Sequence, residues 1–242
     1  MLAKLIGFSK KNHIAYIVLN KPVINQEMAQ NLAEICQNIH EDDDVYVVTL
    51  TGSGDVFCRG DEGDITEAYH PTVAIADIEQ PVIAAINGDA LDIGLEIVLS
   101  CDIRIASAKA RFVMPQVAEG FVPSEGGTQR LPRIIGRGKA LELLLTGITI
   151  TASEALEMGL VSRIVPPGAL AGEVTKLAET IAAKGPIALR YLKEAVLKGM
   201  DMTLEQGLKL EADLYFLLHT TSDRTEGITS FLEKRTPKYK GK

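Results

Sequence analysis

The sequence predicts an α/β fold on a mainly parallel sheet, and three observations carry that expectation. Apolar runs of strand length, residues 45–51 and 82–86, alternate with stretches of helical spacing at residues 26–39 and from about residue 93. Turn chemistry separates them, as Gly52-Ser53-Gly54-Asp55 and Asn87-Gly88. Beyond about residue 138 the pattern becomes helical, which adds a helix-rich tail to the α/β core.

The elements follow in order. Residues 1 to about 20 offer two β-like stretches, of which residues 13–19 are the clearer. Met28, Leu32, Ile35 and Ile39 lie on one helical face, and the acidic run Glu41-Asp42-Asp43-Asp44 after them reads as a solvated loop. Residues 45–51 form a buried strand. Pro81 can start a strand but not sit inside one, so it opens the strand at 82–86. A buried helix follows from about Ile93, then a strand-like piece at 103–106. Thr151-x-x-Glu154 and Thr203-x-x-Gln206 are capping-box signals, and Leu204, Leu208, Ala212, Tyr215 and His219 share a face. Pro166-Pro167-Gly168 and Gly185-Pro186 break the helices apart.

Composition narrows the class. The chain has 242 residues and is 46% apolar, enough for a substantial core in one domain or a domain with a helical appendage. No run of 18 apolar residues suggests a membrane span, and the N-terminus lacks the apolar region of a secretory signal. A formal charge of −7 argues against general nucleic-acid binding. Cys36, Cys58 and Cys101 are widely spaced and make neither a disulfide framework nor a metal-ligand cluster. A soluble, cytoplasmic protein without a metal is expected.

The stretch from Pro81 to Glu96 is the most informative. A strand feeding a helix N-terminus leaves backbone N–H groups free at the helix mouth, where the dipole favours negative charge. Such a junction suits a developing oxyanion, with Glu96 nearby as a proton carrier.

Phe57-Cys58-Arg59-Gly60-Asp61-Glu62, the Pro81 to Glu96 stretch, Cys101-Asp102-Ile103-Arg104, Gly126-Gly127-Thr128-Gln129-Arg130-Leu131, Leu145-Thr146-Gly147 and Phe231-Leu232-Glu233-Lys234-Arg235 follow in this order along nearly the whole chain. Together they resemble the crotonase (enoyl-CoA hydratase/isomerase) superfamily. The resemblance implies a crotonase-like ββα spiral core over residues 1–190 and a C-terminal helical trimerisation region over 191–242, in a homotrimer or dimer of trimers. It implies an acyl-CoA thioester as substrate, with coenzyme A arriving as part of it and no separate cofactor. The oxyanion donors would be the N–H groups of Asp61 and Ile93, with Glu96 as acid or base. Arg59, Gly60, Gly94, Phe231 and Lys234 match positions near the substrate or its CoA, although Lys234 reads equally as a solvated tail cation.

The chain departs from the family pattern at several points. Hydratases of the family use two glutamates, and the second position holds Gln116, whose amide exchanges no proton at neutral pH. Glu125 is either a relocated acid or base or a carboxylate attracted to a helix N-terminus. Asp92 and Ile93 stand in what is commonly a glycine run, and Asp92 is expected to cap the helix. Asp61, Glu62, Asp89, Asp92 and Glu125 together predict an unusually acidic pocket. The segment between Asp64 and Glu79 is short for a piece that lines the acyl pocket, and its His70 reads as a surface residue. A 2-enoyl-CoA hydratase is the first expectation. A double-bond isomerase is the second, and a CoA-ester-binding chain with little turnover the third.

Overall fold

The structure, a computed structural model, describes residues 5–62 and 70–242. Its elements run β1 (Ile6–Lys11), β2 (Ile14–Leu19), β3 (Val23–Ile24), α1 (Gln26–His40), β4 (Val47–Gly52), β5 (Val56–Cys58), β6 (Gly60–Asp61), α2 (Pro71–Ala76), β7 (Val82–Ile86), β8 (Asp89–Leu91) and α3 (Ile93–Ser100). Then come β9 (Ile103–Ser107), β10 (Arg111–Val113), a 3₁₀ turn (Gln116–Glu119), α4 (Gly127–Ile135), α5 (Arg137–Thr146), β11 (Ile150–Thr151), α6 (Ala152–Glu157) and β12 (Arg163–Val165). Four helices close the chain, α7 (Leu170–Ala182), α8 (Pro186–Gly199), α9 (Leu204–Leu218) and α10 (Ser222–Leu232).

Among the described residues, one sheet has the order β1-β2-β4-β7-β9-β12 and a second β11-β10-β8-β5. The pairs β4/β5, β7/β8 and β9/β10 each send their first strand to the larger sheet and their second to the smaller. Repetition of that step winds the chain as a ββα spiral, in which β2, β4, β7, β9 and β12 pair parallel in sequence order. The expected α/β class and spiral core are therefore present.

The apolar runs have a simple cause. Val82, Ala84 and Ile86 of β7 join the main core, whereas Ile83 and Ala85 pack with Val174 and Ala178 of α7 on the opposite face. A parallel strand covered on both faces loses the polar alternation of a half-exposed one. The turn after β7 is an interlock: Asn87 Nδ2 donates to the carbonyls of Gly54 at 2.9 Å and Val56 at 3.0 Å, and its Oδ1 accepts from the Gly52 N–H at 3.1 Å. This ties the β7–β8 junction to β4–β5 and sets the direction in which β8 delivers α3.

The helical tail was only partly legible. Both capping boxes are formed, at Thr151/Glu154 and Thr203/Gln206. Two short strands, β11 and β12, interrupt the region read as helical, because each adds to a sheet edge supplied by a distant segment. Residue 190 lies inside α8. The three cysteines are buried and free, and burial pushes their thiols up to about 12. Such thiols are poor nucleophiles at neutral pH.

Candidate active site

Helix α3 is buried along its whole length, Glu96 included. An isolated carboxylate in that setting is costly, so its partners decide its chemistry. Glu96 Oε1 accepts the backbone N–H groups of Glu125 at 2.9 Å and Gly127 at 2.8 Å, both from the segment that opens α4. Burial raises the Glu96 pKa to about 7, with Glu125 and Asp92 pushing the same way and the two N–H bonds opposing. A carboxyl titrating near neutrality can both take and give a proton there.

The two expected oxyanion donors are brought to one place. Asp61 ends β6, which pairs with β3, and Ile93 opens α3. Gly60 and Gly94 make this approach possible. A Cβ on Gly94 would stand 2.3 Å from the Cys58 carbonyl oxygen, so the first turn of α3 lies against β5. A Cβ on Gly60 would stand 3.3 Å from Asp92 Oδ2. Gly94 therefore contributes by close packing.

Asp92 corrects the sequence reading. It occupies the N-cap position but makes no side-chain capping bond, and its φ of 56° and ψ of −128° belong to a region that residues with a Cβ rarely enter. Strain of this kind costs about 1–3 kcal/mol. The carboxyl instead accepts from Gln116 Nε2 at 2.5 Å on Oδ1, and the Ile93 N–H lies against it. Burial raises its pKa, with Asp61 and Glu119 adding to the rise. Gln116 Oε1 is buried and has no hydrogen-bond partner among the described residues.

One other expectation changes. Asp89 does not add negative charge to the pocket, because Arg111 binds both its oxygens, at 3.0 and 2.9 Å, and Arg59 reaches Oδ2 at 3.1 Å. These pairs, Arg111 first, hold the Asp89 carboxyl below the usual range. His70 is exposed, as expected of a surface residue, and its Nδ1 also lies 2.6 Å from Glu125 Oε1. The Thr72 hydroxyl lies 2.8 Å from Glu125 Oε2, so both carboxyl oxygens of Glu125 are engaged on the side facing α2. What Glu125 gives to Glu96 is its backbone N–H. No sequence signal pointed to Thr72. The Gly127 N–H belongs to the Gly126-Gly127-Thr128-Gln129-Arg130-Leu131 motif, but its target is not readable from spacing.

Part of the segment expected to line the acyl pocket, residues 64–69, lies outside the described residues, as does residue 63. His70, Ser124, Glu125 and Arg130 line a cavity of about 530 Å³. Phe231 lines a different cavity of about 570 Å³ among α8, α9, α10 and the C-terminal tail. Lys234 follows α10 in the left-handed region, at φ 55°. Both residues belong to the tail, whose apolar side chains stay exposed in the single chain, Leu204 at 80% and Phe231 at 82%. No helix among the described residues is long and apolar enough to cross a membrane.

Comparison with known proteins shows what the whole chain is similar to. A family model described as enoyl-CoA hydratase/isomerase matches residues 9–242. The putative enoyl-CoA hydratase/isomerase YngF of Bacillus subtilis is 43% identical, over 98% of each chain. The (E)-benzylidenesuccinyl-CoA hydratase of Thauera aromatica is 39% identical, over 95% of this chain and 96% of its own. The crystal structure of an enoyl-CoA hydratase from Bacillus anthracis superposes with a TM-score of 0.92 at 39% identity, covering 99% of this chain and all of the other.

Proposed function

This chain belongs to the enoyl-CoA hydratase/isomerase family, and from that premise we propose that it is a 2-enoyl-CoA hydratase with Glu96 as its principal acid/base. The observation that carries the reading is the buried Glu96 carboxyl, held through Oε1 by two N–H groups and titrating near neutrality in the first turn of α3. The thioester oxygen takes the N–H groups of Asp61 and Ile93. As charge gathers on that oxygen, each donor contributes about 3–4 kcal/mol by analogy with comparable sites. Glu96 removes the proton of a water whose oxygen bonds to the β-carbon, and a proton returned to the α-carbon completes the 3-hydroxyacyl thioester. Gln116 Oε1, an acceptor without a partner among the described residues, suits that water's other hydrogen. Gly60 and half-exposed Arg59 border the thioester and CoA, while Phe231 and Lys234 serve the CoA nucleotide from the tail.

Residues 191–242, from within α8 onward, supply the trimerisation region in this reading, and the exposed Leu204 and Phe231 faces are what a neighbouring copy covers. The substrate is the acyl-CoA, with no further cofactor, and the compartment is the cytoplasm.

A specific observation favours a second reading. Gln116 cannot exchange a proton, and a single carboxylate suffices to move one between the α- and γ-carbons of an enoyl-CoA. Turnover of crotonyl-CoA and of a 3-enoyl-CoA separates the two. Hydration of crotonyl-CoA is expected. Conversion of the 3-enoyl-CoA alone would establish the isomerase instead, and binding without turnover of either would leave a CoA-ester-binding protein.

Glu125 is a positioning residue here, since its carboxyl is engaged by His70 and Thr72 while its N–H holds Glu96. Glu125→Gln is expected to lower kcat by about tenfold or less, with the shape of the pH–rate profile unchanged. Loss of a whole limb of that profile would show that Glu125 exchanges protons itself.

A further inference from the structure

Asp92 holds a Cβ in a backbone conformation that favours glycine, at φ 56°. Its carboxyl is directed into the gap between β6 and the mouth of α3, because Gln116 Nε2 reaches Oδ1 at 2.5 Å and Oδ2 lies 3.3 Å from where a Gly60 Cβ would be. Among the described residues the charged groups coupled to it are acidic: Asp61 on β6, Glu119 on the 3₁₀ turn and Glu96 on its own helix. Arg59 and Arg111 are bound to Asp89. Ionised, Asp92 would repel an enolate oxygen and compete for the Ile93 N–H. Protonated, it does neither and carries a proton beside the thioester.

We infer that Asp92 is the second proton carrier of this site, a carboxylic acid that Gln116 holds next to the oxyanion donors. The inference rests on the acyl-CoA reading above. During hydration the water oxygen bonds to the β-carbon while Glu96 takes the water's proton. The π pair of the C=C bond moves into the enolate, and the α-carbon then takes the proton of Asp92 as its O–H bond breaks. The 3-hydroxyacyl thioester leaves a protonated Glu96 and an Asp92 carboxylate, and transfer of one proton from Glu96 to Asp92 restores the starting state. Burial and the acidic neighbours raise the Asp92 pKa, against the pull of the Ile93 N–H, in the direction this role requires.

Two assays on the full chain test it: hydration of crotonyl-CoA, and exchange of the α-protons of butyryl-CoA in D2O, which reports enolate formation without water addition. Asp92→Asn and Asp92→Gly are expected to slow both reactions about 10- to 100-fold with little change in KM. Asp92→Gly should also melt at a higher temperature than the wild type, because glycine accepts the backbone conformation. The double variant Asp92→Gly with Gln116→Glu should recover most of the lost rate, since it returns a carboxyl to the same gap from the other side. An Asp92→Gly enzyme as fast as the wild type, or faster, would show that the carboxyl merely obstructs the oxyanion donors. A loss that Gln116→Glu does not restore would equally overturn the proposal. Were the wild type to exchange butyryl-CoA protons without hydrating crotonyl-CoA, the hydratase reading alone would fall, and exchange would still decide the role of Asp92. Absence of exchange in the wild type would overturn the role of Asp92, and absence of hydration as well would overturn the hydratase reading with it.

Discussion

Glu96→Gln is expected to lower hydration by about 10²–10⁴-fold while making the protein more stable at alkaline pH. The activity loss follows from removing the proton carrier without disturbing its cradle, because a glutamine carbonyl can still accept the N–H groups of Glu125 and Gly127. The stability gain follows from linkage. Glu96 titrates at about 7 in the folded chain against an ordinary 4.5, so between those values the native state binds more protons than the unfolded state. Stability therefore falls as pH rises from about 4.5 to about 7, and above that the full cost is about 3 kcal/mol. Glutamine has no charge to bury and escapes this cost. Melting curves of both proteins at pH 5 and pH 8 should show a gain for Glu96→Gln that is much larger at pH 8. An equal difference at both pH values would mean that the Glu96 carboxyl is not held near neutrality.

Gly94→Ala is expected to damage folding and catalysis together. The added methyl would meet the Cys58 carbonyl oxygen at 2.3 Å, a backbone atom fixed in β5 that cannot swing aside as a side chain would. Overpacking of this kind costs about 1–3 kcal/mol. The only relief is to move the first turn of α3 away from β5, and that turn carries the Ile93 N–H. Loss of one oxyanion donor lowers kcat by about 10²–10³-fold. Gly138→Ala is the matched control, since its Cβ would meet nothing within 4 Å on α5. That variant should keep wild-type activity and melt at the same temperature or slightly higher. A Gly94→Ala protein with normal turnover would show that the α3–β5 contact does not set the donor geometry.

Much of this architecture was readable in the chain because the signals are local. The apolar run at β7 reports a strand covered on both faces, and Thr151 and Thr203 report helix starts whose capping bonds span three residues. The ordered motifs pointed to the strand–helix junction with Glu96 at its mouth. Strands β11 and β12 were missed because a two- or three-residue strand exists only through its partner, and its residues carry little pattern of their own.

Residue order and spacing were enough for the fold class, for Glu96 in the first turn of a buried helix, and for the missing carboxylate at Gln116. The use made of those charges came from the packing of distant segments. That packing neutralised Asp89 between Arg59 and Arg111, turned the Glu125 carboxyl toward His70 and Thr72, and set Asp92 against Gln116 instead of the helix end. Spacing along a helix or strand is a property of a few neighbouring residues, whereas a carboxyl's protonation state depends on burial and on partners 20 to 55 positions away. Those meet only when the sheet has wound the chain back on itself.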